Sequence, residues 1–214
     1  MLEINKRIIT SLVLIILLFL SIYNEIFLFI SLIFIFFQIF YEFQLIIKKI
    51  IPHKKAFFTY SILILILAFL LILLTQIWII LSGNNLSHKI NLLFIVSICI
   101  STDIGGFIFG KIFKGKKITK ISPNKTYSGM LGSYILSIIT AIYFMSYLNN
   151  NNIFLISIIL STISQIGDLF ISLLKRKANL KDTGNILPGH GGILDRFDGL
   201  IFTIPIGFII LNFI

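Results

Sequence analysis

Apolar and polar residues alternate along this chain in long blocks. Seven apolar runs stand out: Ile8–Tyr23, Ile26–Ile47, Ala56–Leu81, Ile90–Gly110, Ser128–Leu148, Ile153–Leu174 and Ile193–Ile214. A helix needs roughly 20 apolar residues to cross a bilayer. The pattern therefore predicts an all-α, polytopic transmembrane protein of about seven spans. The first run is short for a span and could form a hairpin with the second through Asn24-Glu25. Lys6-Arg7 before an apolar stretch resembles a signal peptide, but no small-residue cleavage site follows. The reading is an uncleaved anchor.

Composition agrees. Of 214 residues, 57% are hydrophobic and 12% charged, against about 45–50% and about 25% in soluble domains. One cysteine, Cys99, and few prolines exclude a disulfide scaffold and a collagen-like chain. No nucleic-acid partner is implied.

The net charge of +10 is laid out with a period of two loops. Lys6 and Arg7 precede the first run, and Lys48, Lys49, Lys54 and Lys55 follow the second. Six lysines, Lys111 to Lys125, follow the fourth, and Lys175, Arg176, Lys177, Lys181 and Arg196 follow the sixth. Of the 18 Lys and Arg residues, Lys89 alone falls on the opposite side. The positive side is cytoplasmic. The expected topology has a cytoplasmic N-terminus and an external C-terminus in a bacterial inner membrane.

The acids are just as uneven. Glu3, Glu25 and Glu42 are the only glutamates, and all five aspartates (Asp103, Asp168, Asp182, Asp195, Asp198) lie in the second half. A charge in a span costs at least about 2.5–3.5 kcal/mol, so Asp103 and Asp168 call for a function or a buried partner. Asp168, Ser172 and Lys175 share one helical face, as do Asp195 and Asp198. Asp168 is expected to meet Asp195 at the cytoplasmic ends of their helices. Facing carboxylates need a cation between them, and hard oxygen ligands beside phosphate point to Mg²⁺. Gly191-Gly192 permits close backbone approach and leaves N–H groups free for an anion. Lys175, Arg176 and Lys181 add cations. His190-Gly191-Gly192 can also be read as an ordinary turn, Gly106 and Gly110 as helix packing, and Lys111–Lys120 as a topology signal. Ser122, Lys125 and Thr126 offer a cation and hydroxyls at the membrane surface. Together these features suit phosphoryl or nucleotidyl transfer.

The segment Ser172–Asp198 reads S-x-L-K-R-x4-K-D-x-G-x2-L-P-x-H-G-G-I-x-D-R-F-D. It resembles the signature of the phosphatidate cytidylyltransferase (CDP-diacylglycerol synthase) family. Asp103-x-Gly-Gly-Phe-x-x-Gly110 and Ser122-Pro-x-Lys-Thr are similar to a second family block. The resemblance covers roughly residues 100–214. It implies synthesis of CDP-diacylglycerol and pyrophosphate from CTP and phosphatidate, with Mg²⁺ and, in some members, K⁺ as second metal. It implies metal ligation by Asp168, Asp195 and Asp198, with catalytic roles also for Lys175, Arg176 and His190. Substrate contacts fall on Asp103, Ser122, Lys125, Thr126, Ser172, Lys181, Asp182, Gly191, Gly192 and Arg196. On this reading residues 1–89 are a transmembrane scaffold and 90–214 the catalytic region, with a homodimer left open. Two departures stand out: Ser128 replaces the family's usual acid or amide, and the N-terminal half is short. A CTP-dependent polyprenol kinase, an ether-lipid synthase and a transporter remain alternatives, although a transporter would be expected to show repeats between its halves.

Overall fold

The computed structural model describes residues 25–51, 56–83, 86–119, 122, 125–148, 150–187 and 191–213. The described residues fold into helices α1 (Glu25–Ile50), α2 (Ala56–Ser82), α3 (Leu86–Phe113), α4 (Tyr127–Leu148), α5 (Ile153–Lys177), α6 (Leu194–Phe197) and α7 (Leu200–Phe213). No β-strand forms among them; isolated bridges join Lys117 to Thr126 and Leu187 to Gly191.

Helices α1 to α5 are each long and apolar enough to cross a bilayer. The chain is thus a multi-pass membrane protein. The expected span Ile8–Tyr23 lies outside the described residues. The expected span Ile193–Ile214 is interrupted at Asp198-Gly199 and yields α6, of 4 residues, and α7, of 14. At 1.5 Å per residue α7 reaches about 21 Å, short of the roughly 30 Å hydrocarbon core. Ser164 explains why the segment is pinned there: a Cβ on Gly199 would lie 2.5 Å from its hydroxyl. Pro205 inside α7 further removes a helix N–H.

Helix ends follow local chemistry. Thr126 caps α4, its hydroxyl accepting the Gly129 N–H at 3.1 Å. Asn179 closes α5 in a left-handed conformation with φ 56°. There the Leu180 N–H reaches the Lys175 carbonyl at 2.8 Å and the Asn179 N–H the Arg176 carbonyl at 3.1 Å, which is a Schellman ending. Lys175, Arg176 and Lys177 occupy its last turn, where cations complement the helix dipole.

The chain divides into two compact units, residues 1–82 with 174–197, and residues 83–173 with 198–214. In the first, α1 packs on α2, with the Phe29 and Trp78 rings 4.7 Å apart. These residues lie near the start of α1 and the end of α2, so the two helices run antiparallel. In the second, α3 and α4 meet backbone to backbone. A Cβ on Gly105 would come within 2.7 Å of the Gly132 carbonyl carbon, and the Ser133 hydroxyl donates to the Thr102 carbonyl at 2.7 Å. Thr102 in turn donates to Ser161 of α5 at 2.9 Å. Small residues and hydroxyls take the place of a hydrophobic drive between helices in lipid. Outward apolar side chains such as Leu65, Phe107 and Tyr143 remain exposed, as a bilayer-facing surface requires.

Candidate active site

The first compact unit carries a carboxylate centre at Asp195. Its Oδ2 accepts the Thr183 N–H at 2.8 Å and the Gly192 N–H at 3.0 Å, and the Thr183 hydroxyl oxygen lies 3.0 Å away. Its Oδ1 accepts the Lys175 ammonium at 2.7 Å. Burial works to raise the Asp195 carboxyl, but the Lys175 contact and the Thr183 and Gly192 N–H groups outweigh it and hold the group below its ordinary value. The loop reaches this geometry through Gly191, whose φ of 83° few side chains tolerate.

Around this centre, Arg176 is exposed and donates to the Leu180 carbonyl at 3.3 Å. Lys181, Asp182 and Arg196 are also exposed. His190, with Pro188 and Gly189, lies outside the described residues.

The second unit carries the other aspartates. Asp168 of α5 forms an ion pair with Lys125, and the Ser172 hydroxyl donates to it at 3.3 Å. Asp198, beyond the end of α6, is pushed up to about 8 by burial, by the charge of Asp168 and by a hydrogen bond with it, with Asp103 adding a smaller repulsion. Two carboxyl groups in contact hold either a proton or a cation between them. Asp103 on α3 is exposed. Thr126 is engaged by the Gly129 cap and touches the Ser128 hydroxyl at 3.0 Å. Ser128 also accepts the Gly115 N–H at 3.2 Å, so it ties down the loop ahead of α4. The Ser122 N–H donates to the Thr119 hydroxyl at 3.3 Å.

Among the described residues no three His, Cys, Asp or Glu side chains are gathered as a metal cage. Mg²⁺ does not require one, since it usually binds one or two carboxylates plus waters and substrate phosphates. The Asp168–Asp198 pair, all hard oxygen, has the donor chemistry that suits it once Lys125 or the shared proton gives way to the cation.

One buried acid went unmarked by sequence reasoning. Glu42 of α1 is fully buried and accepts N–H groups from Ile193 and Leu194 at 3.0 and 2.9 Å. The available signal was an acid inside an apolar run, the same signal that singled out Asp103 and Asp168.

A family model described as "Cytidylyltransferase family" matches residues 2–214. The chain belongs to that family. It is 45% identical over 143 residues to a phosphatidate cytidylyltransferase of Rickettsia bellii, covering 61% of each chain. It is 40% identical over 159 residues to that of Rickettsia typhi, covering 69% of this chain and 70% of the relative. Against the Bacillus subtilis protein of the same name it is 44% identical over 116 residues, or 52% of this chain and 43% of the relative. The chain thus spans about three fifths of the Rickettsia bellii relative and less of the Bacillus subtilis one.

Proposed function

We propose that this protein is a phosphatidate cytidylyltransferase, converting CTP and phosphatidate to CDP-diacylglycerol and pyrophosphate at the cytoplasmic face of a bacterial inner membrane. The observation that carries the reading is the organised signature segment. Within it Asp195 is oriented by the Thr183 and Gly192 N–H groups, with the Lys175 ammonium on its other oxygen. Relatives bearing that name match this family chain at 40–45% identity.

A phosphatidate phosphate oxygen attacks the α-phosphorus of CTP in line. The new P–O bond forms as the bond from the α-phosphorus to the bridging oxygen breaks, and pyrophosphate leaves. Phosphate is already a competent nucleophile, so no strong general base is needed. The obstacle is charge. Two unit charges about 4 Å apart repel by about 4 kcal/mol at an effective dielectric of 20. Lys175, Arg176 and Lys181 of the signature segment would offset this for CTP, and Lys125 for the lipid phosphate. Asp168, Asp195 and Asp198 would hold Mg²⁺, with K⁺ as a second metal by family resemblance. A divalent cation there supplies electrostatic stabilisation of the transferred phosphoryl group and of pyrophosphate.

The cytoplasmic assignment draws on the lysine-rich loops. CTP is soluble on that side, and the lipid phosphate rests at headgroup level. The test is incubation of purified protein in detergent with labelled CTP, Mg²⁺ and phosphatidic acid. Labelled CDP-lipid is expected; its absence under conditions where the protein is folded overturns the reading.

A further inference from the structure

We infer that Glu42 is a positioning residue for the Asp195 carboxylate, acting through Thr183 and the backbone at the start of α6. The inference rests on the reading of Asp195 as a metal ligand.

Glu42 is fully buried and takes part in neither the Lys125–Asp168 nor the Lys175–Asp195 ion pair. A buried carboxylate is costly unless its lone pairs are filled. Four donors fill them. Gln38, one turn earlier on α1, donates its amide to Oε1 at 2.9 Å, and the Ile193 N–H reaches the same oxygen at 3.0 Å. Oε2 accepts the Leu194 N–H at 2.9 Å and the Thr183 hydroxyl at 2.5 Å. Three of the four come from the signature segment, so α1 holds both ends of that loop with one side chain.

Thr183 makes the arrangement more than a tether. Its single hydroxyl proton lies between two carboxylates, 2.5 Å from Glu42 and 3.0 Å from Asp195. The shorter contact assigns the proton to Glu42 and fixes the side chain and, with it, the backbone of Thr183. The Thr183 and Gly192 N–H groups then occupy Asp195 Oδ2. Oδ1 is left to face the Lys175 ammonium, a partner on a long, flexible side chain that a cation can replace. Glu42 thereby selects which oxygen of Asp195 is presented.

The glycines of the loop fit around the same carboxylate. A Cβ on Gly184 would lie 2.9 Å from Glu42 Oε1, and one on Gly192 would overlap both the Thr183 hydroxyl and the Glu42 carboxylate. Their smallness accommodates Glu42.

Groups that orient a metal ligand typically contribute 10–100-fold to metal affinity or activity. The test compares Glu42→Gln and Thr183→Val with the wild type in detergent. Two readouts are taken: the Mg²⁺ concentration for half-maximal CDP-lipid formation, and the Mg²⁺ concentration for half-maximal thermal stabilisation without substrates. Both should rise at least about tenfold in each variant. Thr183→Ser, which restores the hydroxyl, should return both to the wild-type value. The double variant should be no worse than the poorer single one, since the two residues act in one chain of contacts. A lowered melting temperature with an unchanged Mg²⁺ midpoint would make Glu42 a structural tether only and overturn the inference. Should Glu42→Gln fail to insert, Thr183→Val decides by the same criterion. Wild-type protein that binds Mg²⁺ but forms no CDP-lipid would instead overturn the functional reading and leave the thermal comparison to judge Glu42.

Discussion

Lys125, just ahead of α4, forms an ion pair with Asp168 of α5, and its ammonium also reaches the Gln165 carbonyl at 3.4 Å. The pair is partly open, with the two side chains 23% and 29% exposed. A lysine that neutralises a carboxylate and remains accessible can be drawn away by a stronger anion. A lipid phosphate meets that description and, unlike CTP, cannot leave the interface.

Lys125→Ala should therefore raise the KM for phosphatidate more than that for CTP. The expected loss is about 1.5–3 kcal/mol in kcat/KM for the lipid, the range for a hydrogen bond to a charged group. Steady-state kinetics with each substrate varied at saturating levels of the other make the check. A selective rise in the CTP KM reverses the assignment, and no change in either returns Lys125 to a structural role.

On the proposed metal assignment, Asp168→Asn and Asp195→Asn should each lower turnover by at least about a hundredfold, because the loss of a metal ligand would remove several kcal/mol of charge stabilisation. Both proteins should still insert and purify. The two substitutions differ in their local cost. At Asp195 an amide N–H₂ would be set against the Thr183 and Gly192 N–H donors or the Lys175 ammonium, so some loss of melting temperature is expected as well. At Asp168 the substitution relieves the repulsion with Asp198 but also gives up the ion pair with the partly exposed Lys125, so the change in melting temperature should be small. Activity near wild type in either variant refutes its metal assignment.

These aspartates were legible in the sequence because acids are rare in apolar runs and because the signature segment names its own chemistry. The long helices were legible for the same reason: uninterrupted apolar runs leave little choice in lipid. What was not legible depends on contacts distant in sequence. Glu42 reads as one more acid in an N-terminal helix until Thr183 and Ile193, 141 and 151 residues away, are seen to donate to it. The break at Asp198-Gly199 was legible only in part: Asp195, Arg196 and Asp198 interrupt the apolar run, but only the close approach of Ser164 shows why glycine sits there. Thr126 invites a phosphate-binding reading from its motif, whereas its cap on α4 is a local role that the same hydroxyl fills.

The contact of α3 with α4 gives a stability prediction. A Cβ on Gly105 would meet Gly132 backbone, with the carbonyl carbon at 2.7 Å and the Ser133 Cα at 2.9 Å. Backbone cannot rotate away, so Gly105→Ala should cost about 1–3 kcal/mol, as overpacking does. On Gly106 the added carbon meets the Ser133 hydroxyl at 3.1 Å, a side-chain atom that can yield slightly at some cost to its bond to the Thr102 carbonyl. Gly106→Ala should cost less than Gly105→Ala, since helix propensity of up to about 1 kcal/mol offsets the strain on Ser133. Thermal unfolding of the two variants in the same detergent measures the contrast. Equal melting temperatures would mean that the two helices separate more easily than their spacing indicates.

Topology provides the last prediction. Helix α4 has 22 residues and is about 33 Å long, enough to separate its two flanking loops by a bilayer. Lys111 in the last turn of α3 and Lys114, Lys116, Lys117, Lys120 and Lys125 beyond it precede α4, and the segment after it, Asn149–Asn152, carries no charge. Positive loops stay on the cytoplasmic side. A reporter fused at Lys117 should read cytoplasmic and one at Asn150 periplasmic. The neighbouring helix α5 returns the chain to the first side, where Lys175, Arg176 and Lys177 close its last turn. A fusion at Lys177 should accordingly match Lys117. Those readings would put Lys125 and Lys175 on the side where CTP is found, as the proposed nucleotidyl transfer needs. If Lys117 and Lys177 both read periplasmic, the lysines face away from the nucleotide pool and the proposed reaction has no supply of CTP. If they read on opposite sides, one of the two apolar helices between them does not cross.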